Sequence, residues 1–228
     1  MSDIKGFRNE DKYILNISDY QKVKNKLGTV LECDKNTING SGYYKVTSLY
    51  FDNMYDKCLL EKINGVNNRE KYRIRYYNDD LSYIKLEKKI KINGLCKKIS
   101  CGISKEEYKR IVNQDIQWML GCKDRELLRE LYIKIKTQLL RMTASVEYNR
   151  TAFIYNNSDI RVTLDRDLRV GVGSGEGIEV DSGKMILELK YKEYIPDIIS
   201  KLLEGERKVK CSYSKYEVCR RRKISGYI

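Results

Sequence analysis

Charged and apolar residues alternate along five separate stretches of this 228-residue chain. Successive side chains of a β-strand point to opposite faces of a sheet, so each stretch predicts a strand with one charged face and one apolar face. The charged faces are mainly basic, with an occasional carboxylate. The rows are Arg8/Glu10/Lys12, Lys71/Arg73/Arg75, Lys85/Glu87/Lys89/Lys91, Arg161/Thr163/Asp165 and Glu188/Lys190.

The segments between these rows carry helix and turn signals. Asn78-Asp79-Asp80 predicts a hairpin turn between two of the strands. The predicted helices run from Ser18 as N-cap to near Gly28, over 53–63, over most of 104–136 with Ser104 as N-cap, from Pro196, and over part of 212–223. The sequence therefore predicts an α+β fold with about eight antiparallel strands and helices packed outside, in a single domain spanning residues 1–228.

The basic rows allow two arrangements of the sheet. A solvated charged face explains any one amphipathic strand. Recurrence of mostly positive rows on five strands favours a sheet closed into a barrel, with the charges inside and helices over the apolar outer face. The net charge of +13, from 45 Lys and Arg against 32 Asp and Glu, predicts a polyanionic partner such as nucleic acid, an anionic membrane or a phosphate-rich small molecule.

The composition limits which residues could take part in catalysis or bind a metal. The chain has no histidine, so catalysis would use carboxylates, lysines, tyrosines or a metal held by oxygen ligands. Seven cysteines, an odd number without C-x-x-C spacing, predict neither disulfides nor zinc and favour the reducing cytoplasm. The polar start Met1–Asp11 is not a signal peptide, and no apolar run is long enough to span a membrane.

Ten short motifs, spread in order over almost the whole chain, resemble one known family. They are residues 7–13 (FRNEDKY), 48–52 (SLYFD), 62–65 (KING), 69–76 (REKYRIRY), 86–89 (LEKK), 97–98 (KK), 148–153 (YNRTAF), 160–165 (IRVTLD), 187–190 (LELK) and 214–216 (SKY). Together they resemble the VTC domain, the polyphosphate-polymerase branch of the CYTH-like triphosphate tunnel metalloenzymes. The resemblance implies an antiparallel eight-stranded tunnel.

It also implies a reaction. Enzymes of this family transfer the γ-phosphoryl group of ATP to a growing polyphosphate chain with Mn²⁺ or Mg²⁺. Such a transfer depends on positioning and charge neutralisation, which rows of Lys and Arg supply. The expected partners are therefore ATP and inorganic polyphosphate, with no nucleic acid.

The resemblance assigns site residues by motif. Glu188 is the expected metal ligand, and Lys215 the lysine beside the transferred phosphate. Glu10 and Glu87 would assist the metal, orient lysines, or only separate neighbouring lysines. The expected phosphate-binding residues are Lys12, Arg73, Arg75, Lys89, Lys97, Tyr148, Arg150, Arg161, Lys190 and Ser214.

Two features depart from this pattern. Tyr148 and Arg150 share a strand face with the apolar Ala144 and Val146; a β-bulge could re-aim them, but the sequence does not show one. Ser212 stands where the family often has a basic residue, and Lys208 or Lys210 would substitute for it.

Other functions remain open. The same tunnel could serve a non-catalytic polyphosphate sensor. It could also serve a triphosphatase, although the first motif lacks the full Glu-x-Glu-x-Lys pattern. A nucleic-acid-binding module would rest on the basic run 220–223, which also fits a solvated helix end. The glycine-rich segment 171–177 lacks the Gly-Lys-Ser/Thr ending of a P-loop and predicts a connection between strands.

Overall fold

One antiparallel sheet holds every strand of the computed structural model, which describes residues 6–34, 42–155, 159–171 and 177–226. Eight strands have at least seven residues, and three have two. The strands are β1 (Asn9–Leu15), β2 (Glu32–Cys33), β3 (Tyr44–Asp52), β4 (Arg69–Tyr77), β5 (Asp80–Ile92), β6 (Leu95–Ile103), β7 (Arg141–Ile154), β8 (Arg161–Val170), β9 (Ile178–Glu179), β10 (Met185–Tyr191) and β11 (Val209–Lys210).

Six α-helices accompany the sheet within the described residues, and the α+β prediction is confirmed. They are α1 (Ile17–Gly28), α2 (Lys57–Ile63), α3 (Lys105–Val112), α4 (Glu126–Gln138), α5 (Asp197–Leu202) and α6 (Lys215–Ile224), with a 3₁₀ helix at Gln117–Gly121. No helix in these described ranges is long and apolar enough to cross a membrane.

The long strands follow one path around the sheet. Their order is β1-β10-β8-β7-β3-β4-β5-β6, with β11 beside β1. The ladder is not continuous between β6 and β1. Arg8, just before β1, forms a single antiparallel bridge with Cys96 of β6 through two backbone hydrogen bonds of 3.0 and 2.9 Å. The two edges of the sheet thus meet at one point.

Local chemistry sets the element boundaries. Asn16, not Ser18, caps α1, because its side chain accepts a hydrogen bond from the Asp19 amide at 2.8 Å. The β4–β5 turn has two residues, since Tyr77 pairs with Asp80 and both Asn78 and Asp79 adopt positive φ.

Two predicted helices differ in extent. The predicted helix over 53–63 begins only at Lys57, because the Asn53 side chain accepts from the amides of Tyr55 and Lys57 in a turn. The region 104–136 divides into α3, the 3₁₀ helix and α4. Its apolar residues follow a helical period only in part.

Two of the three apolar cores lie on the face of the sheet that the sequence predicted to be the outer one. Val162, Leu187 and Leu189 pack under α1 and α5. Ile74 and Leu86 pack under α3, α4 and the 3₁₀ helix. Covering these alternate positions leaves the charged rows of β1, β4, β5, β8 and β10 on the concave side.

The third core corrects the expectation that all helices pack outside. Tyr216 and Cys219 of α6 pack against Ala144 and Val146 of β7. The β3–β7 pairing stays in register from Ala144 to Arg150, so these residues share one face. A bulge interrupts the β7–β8 pairing near Tyr148 but is not needed to re-aim it. The apolar end of the row lies under α6, and the polar end faces the cavity.

Candidate functional site

The concave face encloses a cavity of about 460 Å³. Among the described residues, sixteen Lys and Arg and four Asp and Glu line it. Of the predicted site residues, all but Glu87 contribute to its wall. Glu87 is 1% exposed and lies behind the wall, where it contacts the arginines in front of it.

The β1–β10 pair places acidic and basic residues side by side. Lys12 pairs with Glu188 in the ladder, and Glu10 pairs with Lys190. The Lys12 Nζ atom lies 3.2 Å from Glu10 Oε1 and 3.4 Å from Glu188 Oε2. Lys190 contacts Glu188, and Lys89 Nζ lies 2.7 Å from both carboxylate oxygens of Glu10. The two carboxylates therefore sit within one cluster of three ammonium groups.

This cluster shifts the pKa values of its members. Burial favours the neutral carboxyl forms, but the neighbouring lysines outweigh it and hold the pKa values of Glu10 and Glu188 well below the usual range. Burial likewise opposes the charge on Lys12, yet the two glutamates raise its pKa. For Lys190 burial prevails over Glu188 and lowers the pKa to about 8.

A second cluster forms around Glu87. Arg73 Nε lies 2.7 Å from Glu87 Oε2, and Lys98 Nζ lies 2.9 Å from Oε1. Arg75 Nη1 is 3.8 Å from Oε2, and its Nε donates to Ser48 Oγ at 3.0 Å. Burial disfavours the charged carboxylate, but Arg73, Arg75 and Lys98 hold its pKa well below the usual range. Glu87 therefore holds the guanidinium groups of Arg73 and Arg75 in place at the cavity wall.

A third cluster joins the last motif to the sheet. Arg150 Nε and Nη2 lie 2.6 and 2.8 Å from the Asp165 oxygens, and Lys215 Nζ lies 2.6 Å from Oδ2. The Lys215 ammonium also sits 4.3 Å from the ring centroid of Tyr148. Burial disfavours ionised Asp165, but Arg150 and Lys215 lower its pKa to about 2. The site prediction omitted Asp165, although its place in the Arg161/Thr163/Asp165 row was a usable signal.

Two other predicted residues of the cavity wall are held by hydrogen bonds within the fold. Arg161 Nη2 contacts Asp34 Oδ2 at 2.6 Å and donates to the Tyr44 hydroxyl at 3.0 Å. The Ser214 hydroxyl caps α6 by accepting from the Glu217 amide at 3.3 Å.

Lys97 lines the cavity edge, with its ammonium 5.6 Å from the centroid of the Phe7 ring. Its neighbour Lys98 pairs with Lys89 and reaches Glu87, so Lys98 is the one that belongs to the inner charged row.

A lysine from another element lies beside Ser212, the position where the family often has a basic residue. Lys62 of α2 donates to Ser212 Oγ at 3.2 Å and lines the cavity. Lys210 also reaches the wall but pairs with Asp11 at 2.7 Å, and Lys208 binds the Leu203 carbonyl. The ammonium beside Ser212 thus comes from Lys62 of α2. The two residues are far apart in the sequence, so motif spacing could not predict this contact.

The acidic residues permit a divalent metal without enclosing one. Within the described part of the chain, no three Asp, Glu, Cys or His side chains form a metal-binding group. Glu10 and Glu188 nevertheless share the Lys12 ammonium. Mg²⁺-type ions are often held by one or two carboxylates, with phosphate oxygens and water completing the shell. Glu10 and Glu188 match the type and number of protein ligands that such an ion uses.

The basic run in α6 has partners within the fold. Arg220 Nη2 lies 3.1 Å from Asp56 Oδ2, and Arg221 Nε lies 3.1 Å from Glu217 Oε1. Lys223 donates to the Thr143 carbonyl at 3.4 Å. These contacts fit a helix end bound to its own domain. In the glycine-rich segment 171–177, residues 172–176 lie outside the described residues; β8 and β9 flank it.

Fold and site together define an α+β domain whose antiparallel sheet holds a basic cavity on its concave face. A family model described as the VTC domain matches residues 7–222. The chain belongs to the VTC domain family, and the resemblance seen in the motifs is confirmed.

Several solved structures are similar to this chain, including the following three. A proposed adenylate cyclase from Bacillus halodurans is 15% identical, with coverage of 91% of this chain and 96% of that chain and a TM-score of 0.51. The PH1819 protein from Pyrococcus horikoshii is 14% identical, covering 92% and 97%, with a TM-score of 0.47.

A proposed adenylate cyclase from Vibrio parahaemolyticus is 10% identical, covering 87% and 83%, with a TM-score of 0.45. The similarity to the Bacillus protein shows a shared fold. A comparison with curated proteins finds no match.

Proposed function

We propose that this VTC-family domain is an ATP–polyphosphate phosphotransferase, which lengthens a polyphosphate chain at the expense of ATP. The observation that carries this proposal is the cavity wall, where sixteen Lys and Arg side chains face four carboxylates and where Glu10 and Glu188 share the Lys12 ammonium. Cations in such excess suit a ligand with many closely spaced negative charges.

In this proposal the sheet acts as an eight-stranded tunnel. The path from β1 to β6 contains eight long strands, and the Arg8–Cys96 bridge joins its two edges. A tunnel suits an extended chain ligand, because each added phosphate can move along the basic rows without leaving the site.

The arginines and lysines would bind the phosphates directly. Arg73, Arg75 and Arg150 are each fixed by a buried carboxylate, so their planar forks are held in place before the ligand arrives. Lys215, with its ammonium between Asp165 and the Tyr148 ring, would neutralise the charge on the transferred group. Lys12, Lys89, Lys97, Arg161, Lys190 and Ser214 would complete the wall.

Glu188, assisted by Glu10, would hold Mn²⁺ or Mg²⁺. The bound ion would neutralise charge on phosphate oxygens. In the transfer, a terminal oxygen of polyphosphate bonds to the γ-phosphorus of ATP, the bond between that phosphorus and the β–γ bridging oxygen breaks, and ADP leaves. The attacking oxygen is already anionic, so no protein base is required.

The proposed partners are therefore ATP and inorganic polyphosphate, without nucleic acid. We propose a cytoplasmic location, which suits seven free thiols.

The test is incubation with ATP and Mn²⁺, with ADP and polyphosphate followed over time. Wild-type protein should release ADP and build polyphosphate in equal phosphate amounts. Glu188→Gln removes the metal-binding charge and Lys215→Met removes the ammonium. Each should lower kcat at least about a hundredfold, as for loss of one electrostatic contact to a transition state. Lys85→Met is the control, because Lys85 lies outside the cavity wall against Tyr83.

Other products would contradict the proposal. Release of orthophosphate without chain growth would indicate a triphosphatase. Tight polyphosphate binding without turnover would indicate a sensor. Nucleic-acid binding without any response to polyphosphate would indicate the third alternative.

A further inference from the structure

Eleven of the sixteen Lys and Arg side chains that line the cavity form an ion pair with a carboxylate among the described residues. Glu87 forms ion pairs with Arg73, Arg75 and Lys98, and Asp165 forms ion pairs with Arg150 and Lys215. Each of these cations therefore has a fixed partner even in the protein without ligand.

Lys71 differs from its neighbours on β4. It belongs to the same row as Arg73 and Arg75 and lines the cavity. Its ammonium lies 4.2 Å from the ring centroid of Tyr216 and 5.7 Å from that of Tyr50. Among the residues that the structure describes, no carboxylate oxygen lies within 4.0 Å of it.

An ammonium enclosed without a counter-charge is energetically unfavourable. Burial lowers the pKa of Lys71 to about 8, and its strongest favourable neighbours are Tyr50 and Cys58 rather than an acidic group. Contact with aromatic faces recovers only part of the lost hydration. The position therefore favours an external anion.

We propose that Lys71 forms a further phosphate subsite, in which an anionic phosphate oxygen accepts from the Lys71 ammonium between the rings of Tyr50 and Tyr216. This subsite rests on the proposed function. It extends the Arg75–Arg73 row by one step, to a total length of about 13 Å along the strand. A row of this length suits a phosphate chain, which can contact all three cations at once.

The experiment compares wild type with Lys71→Met, Lys71→Arg and Lys85→Met. Lys85 is the matched control, since it also sits over a tyrosine, 4.8 Å from the Tyr83 ring centroid, but outside the cavity wall. The affinity for long-chain polyphosphate is measured by titration calorimetry over a range of salt concentrations. Thermal unfolding of each variant without ligand is recorded in parallel.

Lys71→Met should weaken binding about tenfold, the effect of one charged hydrogen bond. It should also reduce the slope of log affinity against log salt by about one, because one fewer counterion is exchanged. Lys71→Arg should bind within about threefold of wild type. The Tm of Lys71→Met should not fall, since the change removes an uncompensated charge.

Three outcomes would overturn the subsite. They are wild-type affinity and salt slope in Lys71→Met, an equal loss in Lys85→Met, or a loss of affinity explained by a lower Tm. Failure of the proposed function is distinguishable: wild type would bind polyphosphate without extending it, and Lys71→Met would still bind more weakly. A wild type that does not bind polyphosphate overturns both proposals.

Discussion

At the scale of single residues, the carboxylates of the three clusters each form ion pairs with more than one Lys or Arg. Asp165 is the clearest case, because it is 1% exposed and bonds both Arg150 and Lys215. A buried carboxylate in this position stabilises the fold and orients two phosphate-binding groups at the same time.

Asp165→Asn should therefore destabilise the protein. The substitution keeps the shape but leaves two buried cations without their shared anion. We expect the free energy of unfolding to fall by about 3 kcal/mol, measured by urea denaturation at pH 7. Asp167→Asn on the same strand is the control. The Asp167 side chain is 41% exposed and accepts from Asn149 Nδ2 at 2.9 Å, a bond that the oxygen of asparagine can also accept. Its φ of +55° is one that asparagine tolerates, so its change should stay within about 0.5 kcal/mol. Equal stability of wild type and Asp165→Asn would contradict this account.

Which side chains face the cavity could be predicted from sequence, and which charges pair could not. Strand alternation placed Glu188 and Lys190 on the inner face, as the structure has them. Pairing depends on register between strands distant in sequence. The choice between Lys97 and Lys98, for instance, requires knowing that Lys98 lies opposite Lys89.

At the scale of elements, α6 is the unexpected component. The five charged rows predicted helices on the outside, because the apolar faces of those strands needed to be covered there. The inner face of β7 instead ends in Ala144 and Val146, and α6 covers them. This short helix has a weakly amphipathic sequence, and specific contacts such as the Lys215–Asp165 ion pair hold it on the sheet.

Asp52 fixes α6 relative to α2. Its Oδ1 atom accepts from the Cys58 amide at 2.9 Å, its Oδ2 accepts from the Leu59 amide at 3.2 Å, and Oδ2 also accepts from the Tyr216 hydroxyl. The Asp52 side chain thus connects the start of one helix to the first turn of the other, next to Lys215.

Asp52→Asn should loosen both helices. In the variant, the side-chain NH₂ group of asparagine would replace one carboxylate oxygen and would face hydrogen-bond donors. In this fully buried position we expect the free energy of unfolding to fall by about 2 kcal/mol. Tyr216→Phe, which removes only the link to α6, should cost about half as much. Chemical denaturation of the two variants measures the difference. A larger loss for Tyr216→Phe than for Asp52→Asn would refute this role.

At the scale of the whole molecule, the cavity charge should depend on pH near 8. Burial lowers the pKa values of Lys71 and Lys190 to about 8. For Tyr50 burial opposes ionisation, but Arg73, Arg75 and Lys71 outweigh it and lower the pKa to about 8. As pH rises through this value, the two lysines lose positive charge and the tyrosine gains negative charge.

Polyphosphate affinity should therefore fall between pH 7 and pH 9. Long-chain polyphosphate is a suitable probe, because its internal groups keep their charge over this range. Calorimetric titration at several pH values measures the change. The double variant Lys71→Arg with Lys190→Arg should show a weaker dependence, since guanidinium groups remain protonated. An affinity that rises with pH in the wild type would contradict the assignment.

The single Arg8–Cys96 bridge has a mechanical consequence for the molecule. The neighbouring β5–β6 pair has nine residues in register, whereas β6 and β1 share only two backbone hydrogen bonds among the described residues, and the Lys89–Glu10 ion pair adds a side-chain contact from β5 to β1. We therefore expect β6 and β1 to separate more readily than any two long strands that are paired along the sheet. In the proposed tunnel, a ligand of larger cross-section would be accommodated by parting β6 from β1 while the seven long-strand pairs stay intact.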